Sequence, residues 1–235
     1  MKKFFCCAIC CISILYIFAE TSDDSIFQKT KQQAEQGDAA AQNKLGVMYA
    51  TGNGVLADKE QAAYWFKQAA EQGYAQAQGS LGYLYTTGNG VRVDKEQAIY
   101  WYKQAAEQGD AESQFNLGVM YYKGEGVLTD KKQAAYWFKQ AAEQDYAQAQ
   151  FILGIMYYKG EGVLTDKKQA VYWYKQAAEQ GLAEAQYSLG GMYYLGEGIL
   201  ADKKQAAYWI KKAYENGFED AKELWDIGEL WKYQD

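Results

Sequence analysis

Small and apolar residues follow a helical period through most of the chain. In the stretch 38–73, Ala41, Leu45, Met48 and Tyr49 lie at i, i+4, i+7 and i+8, which is one stripe of a helix, here called helix A. Gly52 and Gly54 then interrupt the pattern. Gly52 is placed to take the left-handed cap conformation, Gly54 supplies a second permissive position, and Val55 can drop back onto the core. Asp58 opens a second helix, B, as its N-cap, with Gln61 three residues on to complete a capping box. Ala62, Trp65, Phe66 and Ala69 form the buried stripe of B, and Gly73 ends it.

The same pattern returns with a fixed step. Trp65, Trp101, Trp137, Trp173 and Trp209 recur every 36 residues, as do the Leu-Gly glycines Gly46, Gly82, Gly118, Gly154 and Gly190. Five helix-turn-helix units follow, at 38–73, 74–109, 110–145, 146–181 and 182–217. A period of about 20 to 50 residues marks an all-α solenoid, in which each unit buries its apolar face only against its neighbours. Residues 20–37 read as a linker and N-terminal capping helix, because Ala34 to Gly37 align with Ala70 to Gly73. Residues 218–235 read as a C-terminal capping helix A, with Trp225 and Asp226 in place of Leu-Gly and with Leu224, Leu230 and Trp231 available to close the end. Small residues at Gly46 and Ala62 imply close helix approach, with each Trp indole filling the adjoining space and its N–H needing a partner. Inside the array Asp145 replaces the glycine that ends the other B helices, a position that aspartate tolerates at modest cost.

The N-terminus changes the picture of compartment. Lys2 and Lys3 precede an apolar run from Phe4 to Ala19 and then the polar Glu20 to Asp24, a secretory signal peptide pattern over 1–19. The expectation is a secreted or periplasmic protein cleaved after Ala19, with no membrane insertion afterwards. Ile17 is an imperfect small residue for a cleavage site, so an uncleaved anchor is the alternative, although the run is short for a span of about 20 residues. Cys6, Cys7, Cys10 and Cys11 lack the preceding small residue of a lipoprotein signal, and all four lie inside the segment, leaving no disulfide framework.

Charge and chemistry narrow the function classes. The formal charge of -6 becomes -8 without Lys2 and Lys3, which disfavours nucleic acid as a partner. With no histidine and no retained thiol, the usual zinc ligands, general base and cysteine nucleophile are missing, so no metal, cofactor or catalytic residue is expected. The Gly-x-Gly turns follow no strand and precede no Gly-Lys-Ser or Gly-Lys-Thr, unlike a phosphate loop. Glu125, Glu161 and Glu197 recur one unit apart, yet nothing else supports a glycosidase carboxylate pair. Lys67 with Glu71, and the corresponding pairs in each unit, read as a solvated outer face.

The unit Leu-Gly-x-x-Tyr, Gly-x-Gly-Val, Asp-x-x-x-Ala-x-x-Trp, Lys-x-Ala-Ala-Glu-Gln-Gly resembles the Sel-one-like repeat, a relative of the tetratricopeptide repeat. Gly46, Tyr49, Gly52, Gly54, Val55, Asp58, Ala62, Trp65, Lys67 and Ala69 to Gly73 carry the match in the first unit, and the resemblance extends over about Ala34 to Asp235. It implies a right-handed α-superhelix acting as an adaptor, with protein or peptide bound along a concave face of A helices. Some secreted cysteine-rich members are linked to penicillin binding or weak β-lactamase activity, but this chain lacks repeat cysteines and any Ser-x-x-Lys.

Comparison of the units with one another locates the expected binding face. On helix A the positions opposite the constant stripe vary, and from the third unit onward they turn aromatic. The candidate binding residues are Tyr83, Phe115, Tyr122, Phe151, Tyr158, Tyr187 and Tyr194. A tyrosine ladder suits an extended peptide or another helix, giving apolar area and a hydroxyl at low entropic cost. The alternative for this face is burial against the next A helix. The leading expectation is a non-enzymatic interaction module; the rivals are a cell-wall enzyme of the weak β-lactamase type and a passive spacer.

Overall fold

The computed structural model describes residues 25–227 and 229–233, so the signal peptide expected over 1–19 lies outside the described residues. They are helical, with no strand among them, and divide into two compact units, the chain passing from the first to the second between Gln108 and Gly109. The first holds α1 (25–35), α2 (Ala39–Thr51), α3 (Lys59–Glu71), α4 (Ala75–Thr87) and α5 (Lys95–Glu107). The second holds α6 (Ala111–Lys123), α7 (Lys131–Ala142), α8 (Ala147–Lys159), α9 (Lys167–Glu179), α10 (Ala183–Leu195), α11 (Lys203–Glu215), α12 (Ala221–Ile227) and a short 3-10 helix, Leu230–Tyr233. From α2 to α11, even numbers are A helices and odd numbers B helices.

The turns are built as the glycines and aspartates require. Gly52 closes α2 at φ 76° with its N–H on the Met48 carbonyl, and Gly54 follows at φ 70°. Asp58 accepts hydrogen bonds from the N–H groups of Glu60 and Gln61, as Asp94, Asp130, Asp166 and Asp202 do at their own helices. The expected capping box does not form. The Asp58 N–H instead donates to the Tyr49 carbonyl at 2.9 Å, folding the turn back onto helix A. Asp145 takes the left-handed conformation at φ 61°, as its place in the pattern requires.

The second glycine of the turn has a further reason to be glycine. A Cβ on Gly162 would lie 2.0 Å from the Lys131 carbonyl oxygen, and one on Gly90 equally close to that of Lys59. The turn of one repeat therefore rests on the first residue of the preceding B helix, sequence positions that only a bare backbone allows to meet.

Within a repeat the helices approach through the Leu-Gly glycine, but its partner is the residue after the tryptophan. A Cβ on Gly46 would lie 2.8 Å from the Phe66 ring, and one on Gly154 2.6 Å from Tyr174. The indoles pack backwards instead. Trp101 joins Ala62, Phe66, Leu81 and Leu84, while Trp173 joins Phe138, Leu153 and Met156 of the pair before it. Against such apolar neighbours the buried indole N–H of Trp173 finds no hydrogen-bond partner, nor does that of Trp137, contrary to the expectation of one each.

A buried glutamine in α2, α4, α8 and α10 ties three helices together. Gln150 donates to the Ala142 carbonyl at the end of α7 (3.1 Å) and accepts from Gln180 at the end of α9 (2.8 Å). Gln42 bridges Ala34 and Gln72, Gln78 bridges Ala70 and Gln108, and Gln186 bridges Ala178 and Asn216 in the same way. The pairing satisfies polar groups that would otherwise be buried unpaired.

At the N-terminal end Phe27 and Ala34 of α1 cover Leu45 and Met48, and Phe27 meets the Tyr49 ring edge-on. At the C-terminal end helix A is cut short. It stops at Ile227, Glu229 adopts φ 47°, and Leu230 returns fully buried against Ile210 with Leu224 and Trp225 beside it.

Candidate interaction surface

The candidate face lies on α4 in the first unit and on α6, α8 and α10 in the second. Its members differ in exposure. Tyr83 is 53% exposed on α4. Phe115, Phe151 and Tyr187 are half-buried and serve packing. The Phe115 ring lies 5.6 Å from Phe138 and 5.1 Å from Tyr146, Phe151 lies 5.8 Å from Tyr174, and Tyr187 lies 4.9 Å from Phe218. They fill the space between helix A and the element following it, leaving only part of each ring to solvent.

Tyr122 and Tyr158, one repeat apart, organise charge. The Tyr122 hydroxyl donates to Glu161 in the next turn at 2.5 Å, and the Lys131 ammonium pairs with the same carboxylate at 3.1 Å while lying over the Tyr122 ring. The hydrogen bond from Tyr122, then the Lys131 ammonium, hold the Glu161 carboxyl below its usual range, and bonding to Glu161 raises the Tyr122 phenol. At the next position Lys167 pairs with Glu197 at 2.8 Å and lies over Tyr158. The Lys167 contact, then that of Tyr158, depresses the Glu197 carboxyl, and the same carboxylate raises the Lys167 ammonium. Tyr194 is half-buried against the C-terminal cluster around Ile210 and Leu230. Each of these turns thus places an aromatic face, a carboxylate and an ammonium together, and together they can meet a peptide's apolar side chains, N–H groups and carbonyls.

Two further exposed rows lie outside the expected face. Tyr64, Tyr100, Tyr136, Tyr172 and Tyr208 stand half in solvent on the B helices, each edge-on to the tryptophan that follows it at 4.8 to 5.0 Å. Their signal was present in the Ala-x-Tyr-Trp segment, since the residue before a buried tryptophan is turned about 100° out of the core. In the turns, Leu56, Leu128, Leu164 and Leu200 are 89–90% exposed, the most exposed large apolar side chains in the protein's described part. Among the described residues no helix is long and apolar enough to cross a membrane.

Five consecutive segments, 39–74, 75–110, 111–146, 147–182 and 183–218, match the Sel1 repeat. The chain belongs to the Sel1 repeat family. Sel1 repeat proteins generally mediate protein–protein interactions. The chain is similar in structure to c5321, a protective antigen present in uropathogenic Escherichia coli strains displaying an SLR fold, with 41% identity and a TM-score of 0.82 over 86% of this chain. It spans 44% of the length of that antigen. It is also similar to a Sel1 repeat protein from Oxalobacter formigenes, with 33% identity and a TM-score of 0.80, covering 93% of this chain and 89% of the other. No curated protein sequence matches the chain.

Proposed function

We propose that this Sel1 repeat protein is a secreted or periplasmic interaction module that binds an extended peptide or a partner helix on its A-helix face, without a cofactor. The observation that carries this reading is the repeated turn cluster of the second unit, in which Tyr122 with Glu161 and Lys131, and Tyr158 with Glu197 and Lys167, set apolar area beside paired donors and acceptors. Phe115, Phe151, Tyr187 and Tyr194 extend the same face, Tyr83 holds a corresponding A-helix position in the first unit, and the exposed edges of these rings supply contact area. Rigid aromatic anchors bind at small entropic cost. Secretion rests on the N-terminal pattern over 1–19.

The test is crosslinking capture from the source cell's envelope and surroundings, comparing the processed chain with a Tyr122→Ala, Tyr158→Ala, Tyr194→Ala variant of matched helicity. A protein captured by the unmodified chain and lost with the variant supports the A-helix site. Equal capture by both chains removes it. Sequencing the N-terminus of exported protein tests secretion, with Glu20 the expected first residue.

A further inference from the structure

The first two A-to-B turns contain Asn53-Gly54 and Asn89-Gly90, where the later repeats place Glu125, Glu161 and Glu197 before the same glycine. In an Asn-Gly pair the backbone nitrogen after the asparagine can reach the side-chain amide carbon with no Cβ in the way. At Asn89 the structure adds two features. The Lys59 ammonium, from the preceding B helix, donates to the Asn89 Oδ1 at 3.3 Å, and the Gly90 N–H donates to nothing among the described residues. The acceptor oxygen is polarised and the attacking nitrogen is untied.

We propose that Asn89 is a site of self-promoted deamidation, assisted by Lys59, and that its product is a lysine–aspartate pair joining adjacent repeats. The Gly90 nitrogen bonds to the Asn89 Cγ and gives up its proton, while negative charge developing on Oδ1 is held by the Lys59 ammonium. The side-chain nitrogen then leaves as ammonia with the transferred proton, closing a succinimide. Water adds to the Cγ carbonyl, the Cγ–nitrogen bond breaks, the Gly90 nitrogen regains a proton, and a carboxylate remains at position 89. The net change consumes one water and releases ammonium, with no oxidant or reductant.

Water attack on the other ring carbonyl would insert an extra carbon into the backbone before Gly90. That backbone already presses on α3, where a Cβ on Gly90 would meet the Lys59 carbonyl oxygen at 2.0 Å. The aspartyl product is therefore favoured over isoaspartyl in the folded chain. It places a carboxylate against Lys59, the arrangement that Lys131 with Glu161 (3.1 Å) and Lys167 with Glu197 (2.8 Å) already have in the second unit. Asn53 is the internal reference, because it is exposed and, unlike Asn89, receives no hydrogen bond from an ammonium among the described residues.

The experiment is peptide mapping of the folded chain aged at neutral pH, reading acid at positions 89 and 53, in the parent and in Lys59→Met. Position 89 should convert, and the rate at 89 relative to 53 should fall about fivefold in Lys59→Met, less than for a buried oxyanion donor because Lys59 is exposed. The aspartyl share at 89 should also exceed that of the urea-unfolded chain. An amide at 89 that persists while 53 converts overturns the proposal, as does an 89-to-53 ratio unchanged by Lys59→Met. Asn89→Asp supplies the end product directly. Its melting point should exceed the parent's and fall back to it with added salt or with Lys59→Met, and a melting point at or below the parent's removes the pair.

Discussion

Replacing Gln150 with glutamate tests the glutamine tie without changing the size of the side chain. Gln150 is 1% exposed, and its Nε2 faces the Ala142 carbonyl at 3.1 Å and the Asp145 Oδ1 at 3.4 Å. In Gln150→Glu an ionised carboxylate would point oxygen at oxygen there, relieved only by the Gln180 amide on the other side. Holding the acid protonated at pH 7 instead, against a reference pKa of about 4.3, costs about 1.4 kcal/mol per unit, or close to 4 kcal/mol. The smaller of the two penalties applies, so the expected loss at pH 7 is about 2 to 4 kcal/mol. The sign follows from proton binding. The folded-state pKa of the new acid is raised, so the native state binds the extra proton, the loss is small below about pH 4.3, and it grows as pH rises. Protonated, the glutamate can donate to the Ala142 carbonyl as the amide did. The assay is urea unfolding of variant and parent at several pH values between 4 and 7, with the difference in midpoint taken at constant m. Gln133→Glu, at an exposed position outside the tie, is the control and should cost under about 0.5 kcal/mol. A loss at Gln150 that is independent of pH, or smaller than about 1 kcal/mol at pH 7, would refute the idea that this amide joins three helices.

The contacts made by the glycines and carboxylates give further tests. Gly154→Ala places a Cβ 2.6 Å from the Tyr174 ring, and overpacking should outweigh the better helix propensity by about 1 to 2 kcal/mol in chemical denaturation; a more stable variant would contradict the close approach. Gly162→Ala meets the Lys131 carbonyl at 2.0 Å at φ 73°, whereas Gly181→Ala at φ 92° meets nothing within 4 Å. The first should therefore lose well over the roughly 1 to 3 kcal/mol of backbone strain expected for the second, and equal losses would mean that the turn does not rest on α7. The Glu161 carboxyl has a lowered folded-state pKa, so its contribution is present above the reference value of 4.5 and disappears as pH falls through the folded value. Acid titration of stability should be flatter in Glu161→Gln than in the parent below that pH, and superimposable curves would remove the tyrosine and lysine contacts as its cause.

What the sequence made legible was local. The cap glycines, the aspartate N-caps, the left-handed Asp145 and the A and B stripes each depend on residues within one turn or one helix, and all stand in the structure. The capping box was not legible because the competing acceptor, the Tyr49 carbonyl, lies across the turn. Which of two adjacent aromatics would face the Leu-Gly glycine depends on how the helices cross, and the period places Trp65 and Phe66 equally well on the inner side. The buried glutamines carry no apolar signal, and only the thirty-residue spacing kept by Gln42 with Gln72, Gln78 with Gln108 and Gln150 with Gln180 marks a tie. On the candidate face, Phe115 reads as outward on a single helix; the Phe138 and Tyr146 rings that half-cover it come from the two elements that follow.

With the packing positions so nearly constant, the charge in the first turn of each B helix is an informative variable. Glu60 and Glu96 in the first unit suit a helix N-terminus, where the dipole favours negative charge. The second unit has Lys132, Lys168 and Lys204 there, exposed and opposed to the dipole at about 0.3 to 1 kcal/mol each. These lysines work against the fold, and they follow the turns that hold the tyrosine, glutamate and lysine clusters. An acidic partner segment would explain their presence. The triple variant Lys132→Glu, Lys168→Glu, Lys204→Glu should then melt higher than the parent while capturing less partner, with the parent's capture falling as salt rises. A variant that melts higher and captures as much would show that the lysines serve no contact, and one that melts lower would show that they stabilise the helices after all.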